Sequence, residues 1–162
     1  MAIKVLNSQG TKIYVAPAAT DVSDCDKIKA ALAAAKVVGC PQSLGEITET
    51  RAVTEYKCLS SNESAKALGA ISRGSLEIGL LLDPEDAAGQ KELKDAFANN
   101  EEVIVIIELP DSTGTGKHGT LYTFKAGVSA VGTSIEQDAA IAYKVTLEIS
   151  SAITECPKEK TP

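Results

Sequence analysis

Aromatic side chains are scarce in this chain of 162 residues: two Phe, four Tyr and no Trp. A core must therefore be aliphatic. The aromatic platforms on which binding modules usually seat a small ligand or sugar fit this composition poorly. There is one His, at position 118, and there are only two Arg, Arg51 and Arg73. The four cysteines, Cys25, Cys40, Cys58 and Cys156, form no CxxC pair and lie far from the His, which argues against a zinc site. They read as buried free thiols of a cytosolic protein. Long apolar runs are also missing. Runs such as Val103 to Ile107 are far short of the ~20 residues a spanning helix needs, so no membrane span is expected. Residues 1–5 hold one Lys and no extended apolar segment, so no signal peptide is expected either.

Charge is unevenly placed. Residues 1–80 carry nine Lys/Arg and eight Asp/Glu, and residues 81–162 carry seven and fourteen, giving +1 and −7 and together the net −6. An acidic chain with two arginines is poorly equipped to neutralise a phosphate backbone, so a nucleic-acid-gripping protein is disfavoured. At 44% hydrophobic residues, the length suits one domain with a sizeable core.

Periodicity locates the elements. Lys12 to Val15 reads as a short strand closed by Pro17. Residues 21–36 hold Ile28, Leu32 and Ala35 at helical spacing behind Ser23 or Asp24 as N-cap, which predicts a short helix over about 24–35. Residues 52–59 read as a strand, and 60–75 as a long polar connection. Leu76, Ile78, Leu80 and Leu82 alternate with other residues, as a strand does. Asp83, Pro84, Glu85 and Asp86 resemble a helix start, and Leu93, Ala96 and Phe97 form its apolar stripe, so a helix is predicted over about 84–98, ended by Asn99 and Asn100. Residues 103–109 are nearly all apolar and predict a central strand covered on both faces. Residues 110–119 read as a loop, 121–131 and 141–149 as alternating strands, and 154–162 as a mobile polar tail. The fold class is mainly β (α+β): about six strands in an antiparallel β-sandwich or partly closed barrel, with one packed helix and a second short one.

Catalytic chemistry is hard to find. Residues 113–120, TGTGKHGT, suggest a phosphate loop, but Asp111 stands where the pattern needs Gly and His118 where it needs Ser or Thr. A strand rather than a helix follows. Ser112, His118 and Asp111 spell a triad with no G-x-S-x-G elbow, and His118 reads as a solvated loop residue. The pairs Asp83/Asp86 and Glu101/Glu102 fit a helix cap and a solvated turn better than acid–base catalysis. No catalytic, cofactor-binding or metal-ligating residue is assigned, and no enzyme is expected. The unusual feature is the connection 60–75. It is too long for an ordinary hairpin loop, and Leu68, Ala70 and Ile71 make an apolar patch of the kind that marks a partner contact.

The order of several short motifs resembles the major tail tube proteins of long-tailed bacteriophages, over roughly residues 38–152. They are Gly39 to Ile47 as the turn before the first long strand, and Val53 to Tyr56 as the strand entering the long loop. Leu82 to Asp86 with Gly89, Gln90 and Leu93 to Phe97 resemble the helix, and Ile107 to Asp111 the strand before a variable loop. Tyr122 to Ala126 and Tyr143 to Leu147 resemble the closing strands. The Ala-rich segment 21–35 matches no motif of the family. The resemblance implies a structural virion subunit whose hexameric rings stack into a hollow tube, assembled in the host cytoplasm, with tape-measure, terminator and baseplate or tip proteins as partners. Double-stranded DNA passes through the lumen without specific binding. It implies an N-terminal arm (1–11), an inter-ring loop (60–75) with Ser64, Leu68, Ala70, Ile71 and Arg73 as contacts, and a C-terminal tail (154–162). Glu77, Thr123, Ser129, Thr146 and Glu148, on polar strand faces, are the candidate lumen residues, since a conduit wall should avoid cations. Alternatives are a tube subunit of a contractile injection or type VI-like secretion system, and a soluble β-sandwich binding module.

Overall fold

A computed structural model describes residues 5–85 and 88–160. Among them are ten strands and two helices. In chain order these are β1 (Lys12–Pro17), α1 (Cys25–Ala34), β2 (Lys36–Val37), β3 (Pro41–Leu44), β4 (Glu49–Lys57), β5 (Ser64–Arg73), β6 (Ser75–Leu81), α2 (Gly89–Asn99), β7 (Glu102–Glu108), β8 (Leu121–Ser134), β9 (Ala142–Ile149) and β10 (Thr154–Cys156). Eight form one antiparallel sheet in the order β2-β1-β7-β8-β9-β6-β3, with β10 also on β8, and β4 and β5 form a separate two-stranded sheet. The large sheet does not close into a barrel. Its two edge strands, β2 and β3, are nonetheless consecutive in the chain: Val38 N–H donates to Ile13 O and Leu81 N–H to Cys40 O, so one short segment follows both edges.

One face of the sheet carries the main core. Leu76, Ile78 and Leu80 of β6, Tyr143, Val145 and Leu147 of β9, and Val103, Val105 and Ile107 of β7 pack there with Leu93 and Ala96 of α2. The period-2 alternation of β6 and β9 places these residues on one side. The opposite face is divided. Over β1, β7 and the first half of β8 it is covered by α1, whose Ile28 and Ala31 pack on Ala16, Ile104, Ile106, Leu121 and Cys156. Strand β7 is thus buried on both sides, which is why its run is continuous rather than alternating. Over β3, β6, β9 and the second half of β8 the same face is bare.

Helix α1 begins where expected. The Asp24 carboxylate accepts from Lys27 N–H at 2.9 Å, satisfying one of the free donors of the first turn. Helix α2 starts at Gly89, later than the Pro84 signal, and has no side-chain cap. Asp83 instead makes a local turn by accepting from Glu85 N–H, while Asp86 lies outside the described residues. The late start brings Gln90 inside, 1% exposed. Its amide accepts from Asp83 N–H (3.2 Å) and donates to Gly39 O (3.1 Å) and Leu81 O (2.8 Å), tying α2 to the link between β2 and β3 and to the end of β6. Phe97, expected in the buried stripe, is 44% exposed. The helix ends in a left-handed residue, Asn100 at φ 54°, after which Glu101 N–H returns to Ala96 O.

Three further expectations are corrected. Residues 64–73 are strand, not loop. The tail is not loose as far as residue 160: β10 pairs with β8, Lys29 forms an ion pair with Glu159, and Cys156 is bonded to Cys25, with Cα atoms 5.7 Å apart. Two of the four cysteines therefore make a disulfide, and the free ones, Cys40 and Cys58, are exposed rather than buried.

Candidate functional site

The polar loop that mimics a catalytic set turns its groups inward on itself. Asp111 accepts from the N–H and hydroxyl of Thr120, both at 2.7 Å. Burial of Asp111 opposes ionisation, but these two donors, with its own backbone N–H and the charge of Lys158, together outweigh it and hold the carboxyl below its ordinary range. Ser112 donates to the carbonyl of Lys117 or Gly114, and His118 Nδ1 lies 2.7 Å from Gly119 O. The three residues spend their hydrogen bonds on loop geometry and form no relay. His118 is not solvated as expected: its side chain is 11% exposed, with Nε2 3.9 Å from Glu159. Among the described residues no group of three or more His, Cys, Asp or Glu could hold a metal, and no helix is long and apolar enough to cross a membrane.

The hairpin β4–β5 is the outlying feature. Every residue from 49 to 72 is exposed, so its two strands stand clear of both cores. Register assigns its faces. One face pairs Glu49 with Arg73, Arg51 with Ile71, Val53 with Leu68, and Glu55 with Lys66. It has an apolar centre (Val53, Leu68, Ile71) inside a charged rim. The other carries Thr50, Thr54, Tyr56, Ala65, Ala67 and Ser72, all uncharged. A bulge opposite Ala52 takes up Gly69 and Ala70. Of the expected contact residues, Ser64, Leu68, Ile71 and Arg73 share the charged face. Ala70 lies on the other, so the apolar patch read from residues 68–71 is divided between two surfaces. At the base, Glu49 accepts from Arg73 Nε and from Ile153 N–H, each at 3.2 Å, which anchors the hairpin to the body. Isolated two-stranded hairpins are marginal in water, so one of this length with no packed face needs a cover.

The bare half-face is the second feature. Glu77, Ser129, Thr146 and Glu148 lie on it together, through the pairings Glu77 with Thr146 and Ser75 with Glu148. Ser129 sits in a β8 bulge and donates toward Glu148 (3.2 Å) or Thr146 O (3.3 Å). Lys144, also on this face, is paired with Glu77 at 2.8 Å, which leaves Glu148 in excess. Ser43, Gly79, Ala130 and Gly132 on the same face are small. Thr123 does not belong here. It pairs with Ile106 beneath α1, is 1% exposed, and its hydroxyl has no partner among the described residues. The alternation that assigned it a polar face was right, but a helix covers that end.

No protein-family model and no curated protein sequence matches the chain. Solved structures do. A chain of the anti-feeding prophage baseplate superposes with TM-score 0.71 at 10% identity, covering 97% of this chain and 98% of that one. The SPP1 tail tube gives 0.68 at 15% identity, covering 96% and 80%. A chain of the sheath–tube complex of an extracellular contractile injection system gives 0.63 at 14%, covering 94% and 92%. At such identities the likeness is one of fold, and the chain carries the fold of phage and contractile-injection-system tail tube structures.

Proposed function

We propose that this chain is a structural subunit of a tail tube, without enzymatic activity, and that copies associate into hexameric rings stacked as a hollow conduit in a virion tail. The observation that carries the reading is the hairpin β4–β5, exposed along its whole length in a chain of tail-tube fold. A surface that complements a different surface on the next copy builds rings where it closes and filaments where it does not. The charged face of the hairpin, with its apolar centre, has the anatomy of a protein contact, and Ser64, Leu68, Ile71 and Arg73 are assigned to it. The bare half-face suits the lumen. Lys144 on it is neutralised by Glu77 and Glu148 is left over, which gives passing DNA little to bind there. Glu77, Ser129, Thr146 and Glu148 are the wall residues on this reading, and terminator, tape-measure and baseplate proteins are the other partners. The likeness to contractile-injection chains supports a second version, in which the tube carries a protein cargo rather than DNA. Electron microscopy of the purified protein tests both. Rings or hollow tubes are expected, and a species that stays monomeric at high concentration would refute the assignment.

A further inference from the structure

We infer that the Cys25–Cys156 bond is a redox-controlled latch on a flap made of α1, β10 and the residues after β10. Its reduction lets the flap lift from the sheet while the rest of the subunit stays folded. This goes beyond the tube reading and does not depend on it.

The two bonded elements are held weakly by their other contacts. Helix α1 has ten residues, shorter than the helices that persist alone in water, so packing must keep it. Yet it fully buries only Ile28 and Ala31. Strand β10 has three residues and is laddered on β8. Beyond it the chain is held at Glu159: by the ion pair with Lys29, by its N–H to His118 O at 3.3 Å, and by the Thr113 hydroxyl, which donates to its carbonyl at 2.9 Å. Polar contacts at such a surface each add little. Among the described residues, neither α1 nor β10 supplies a side chain to the main core. Segments with few buried apolar contacts open at a lower free energy than the whole fold. The covalent bond ties these two weak elements to each other.

The seam beneath the flap gives a second, independent sign. Thr123 lies there, 1% exposed, and its hydroxyl has no partner among the described residues. A buried group without its hydrogen bond regains one from water on opening, which lowers the cost of lifting. Ala16, Ile104, Ile106 and Leu121 act the other way, since opening wets them. A small apolar seam thus closes the flap, a stranded hydroxyl works against it, and the bond decides the balance.

The bond is also within chemical reach, because Cys25 is exposed whereas Cys156 is 1% exposed. A reagent thiolate attacks the Cys25 sulfur, and Cys156 leaves as a thiolate and takes a proton. A second reagent thiol then displaces the first from Cys25, so two electrons pass to the cystine and the reagent ends as its own disulfide. Thiol-rich surroundings therefore release the flap, and oxidising ones close it. The reduced subunit still spends most of its time closed, and what changes is how often the flap lifts.

Cys156 itself reports the opening. The full chain carrying Cys40→Ser and Cys58→Ser is reduced with dithiothreitol, freed of reductant and given an excess of a maleimide. Modification of each remaining thiol is followed by peptide mass spectrometry. Cys25 should react at once. Cys156 should react later, but about tenfold or more faster than whole-chain unfolding permits, and with a weaker urea dependence than that unfolding. Thr123→Val should slow the Cys156 phase about fivefold. Cys25→Ser in the same background, which removes the bond at an exposed position, should give the same Cys156 rate without any reductant. Modification of Cys156 only in step with whole-chain unfolding, in the reduced protein or in the Cys25→Ser variant, would overturn the latch.

Discussion

The bond between Cys25 and Cys156 should be the largest single contribution to stability that one reagent can remove. It joins the first residue of α1 to the last of β10 across 131 residues. In the chain-entropy description, cross-linking a loop of that length disfavours the unfolded state by about 5 kcal/mol at 25 °C, and removal of native disulfides typically costs 2–5 kcal/mol. With a urea slope of about 2 kcal/mol/M, reduction should lower the unfolding midpoint by roughly 1–2.5 M. The slope should rise slightly, because the uncrosslinked unfolded chain is more expanded. The measurement is urea unfolding followed by circular dichroism, with and without reductant, in a Cys40→Ser/Cys58→Ser background. Both sites are exposed, so the background should cost little. Coincident midpoints in the two conditions would refute the reasoning. They would mean that β10, its ladder with β8 and the Lys29–Glu159 pair hold the C-terminal segment without covalent help.

Thr123→Val should stabilise by about 1 kcal/mol and raise Tm by roughly 2–4 °C, because it removes a buried hydroxyl without a partner while keeping the shape; a lower Tm would mean that the hydroxyl is satisfied. Gly89→Ala should destabilise despite the better helix propensity of Ala, since its Cβ would run into the backbone of Val37 and Val38; unfolding at the same or higher urea would contradict that close approach. The folded pKa of Asp111 is lowered, so its contribution is present above the unfolded value near 3.9 and is lost as pH falls through the folded one. Acid titration of Tm should therefore show a loss below about pH 4 that is reduced in Asp111→Asn, and identical acid profiles would dismiss it. Glu77→Lys with Glu148→Lys should leave tubes intact but slow DNA passage and make it salt-dependent; unchanged ejection would remove these residues from the wall.

Much of the fold was legible because burial leaves a periodic trace. The run from Val103 to Ile107 announced a strand covered on both faces, and the alternation in β6 and β9 announced strands with one wet face. The misses have equally physical causes. Strand β5 buries nothing, so Ser64–Arg73 carries no apolar alternation and looks like a loop. Pro84 and its acids are a sound local helix signal, but three hydrogen bonds of Gln90 to distant backbone set the helix further on. Thr123 and Ser129 follow the same alternation, and only the placement of α1 separates a buried position from a wet one. The pairing of Cys25 with Cys156 joins segments that nothing local relates. For the hairpin, the apolar residues were found, but their division between two faces needed the register and its bulge.

The pairing of β1 with β7 has a kinetic consequence. Lys12 finds its partner at Glu108 and Pro17 at Val103, so one edge of the first strand made stays open long after the other has met β2. At synthesis rates of about 5–20 residues per second, that edge of β1 waits for several seconds while the hairpin, a local pairing, can already form. Folding of this chain is governed by non-local closure and belongs to the slower, high-contact-order class. The order of events also has a direction. The hairpin pairs neighbouring segments and is complete early, whereas the sheet that carries it is assembled only once β7, β8 and β9 are in place. An exposed strand pair therefore stands ready before the body of the subunit exists.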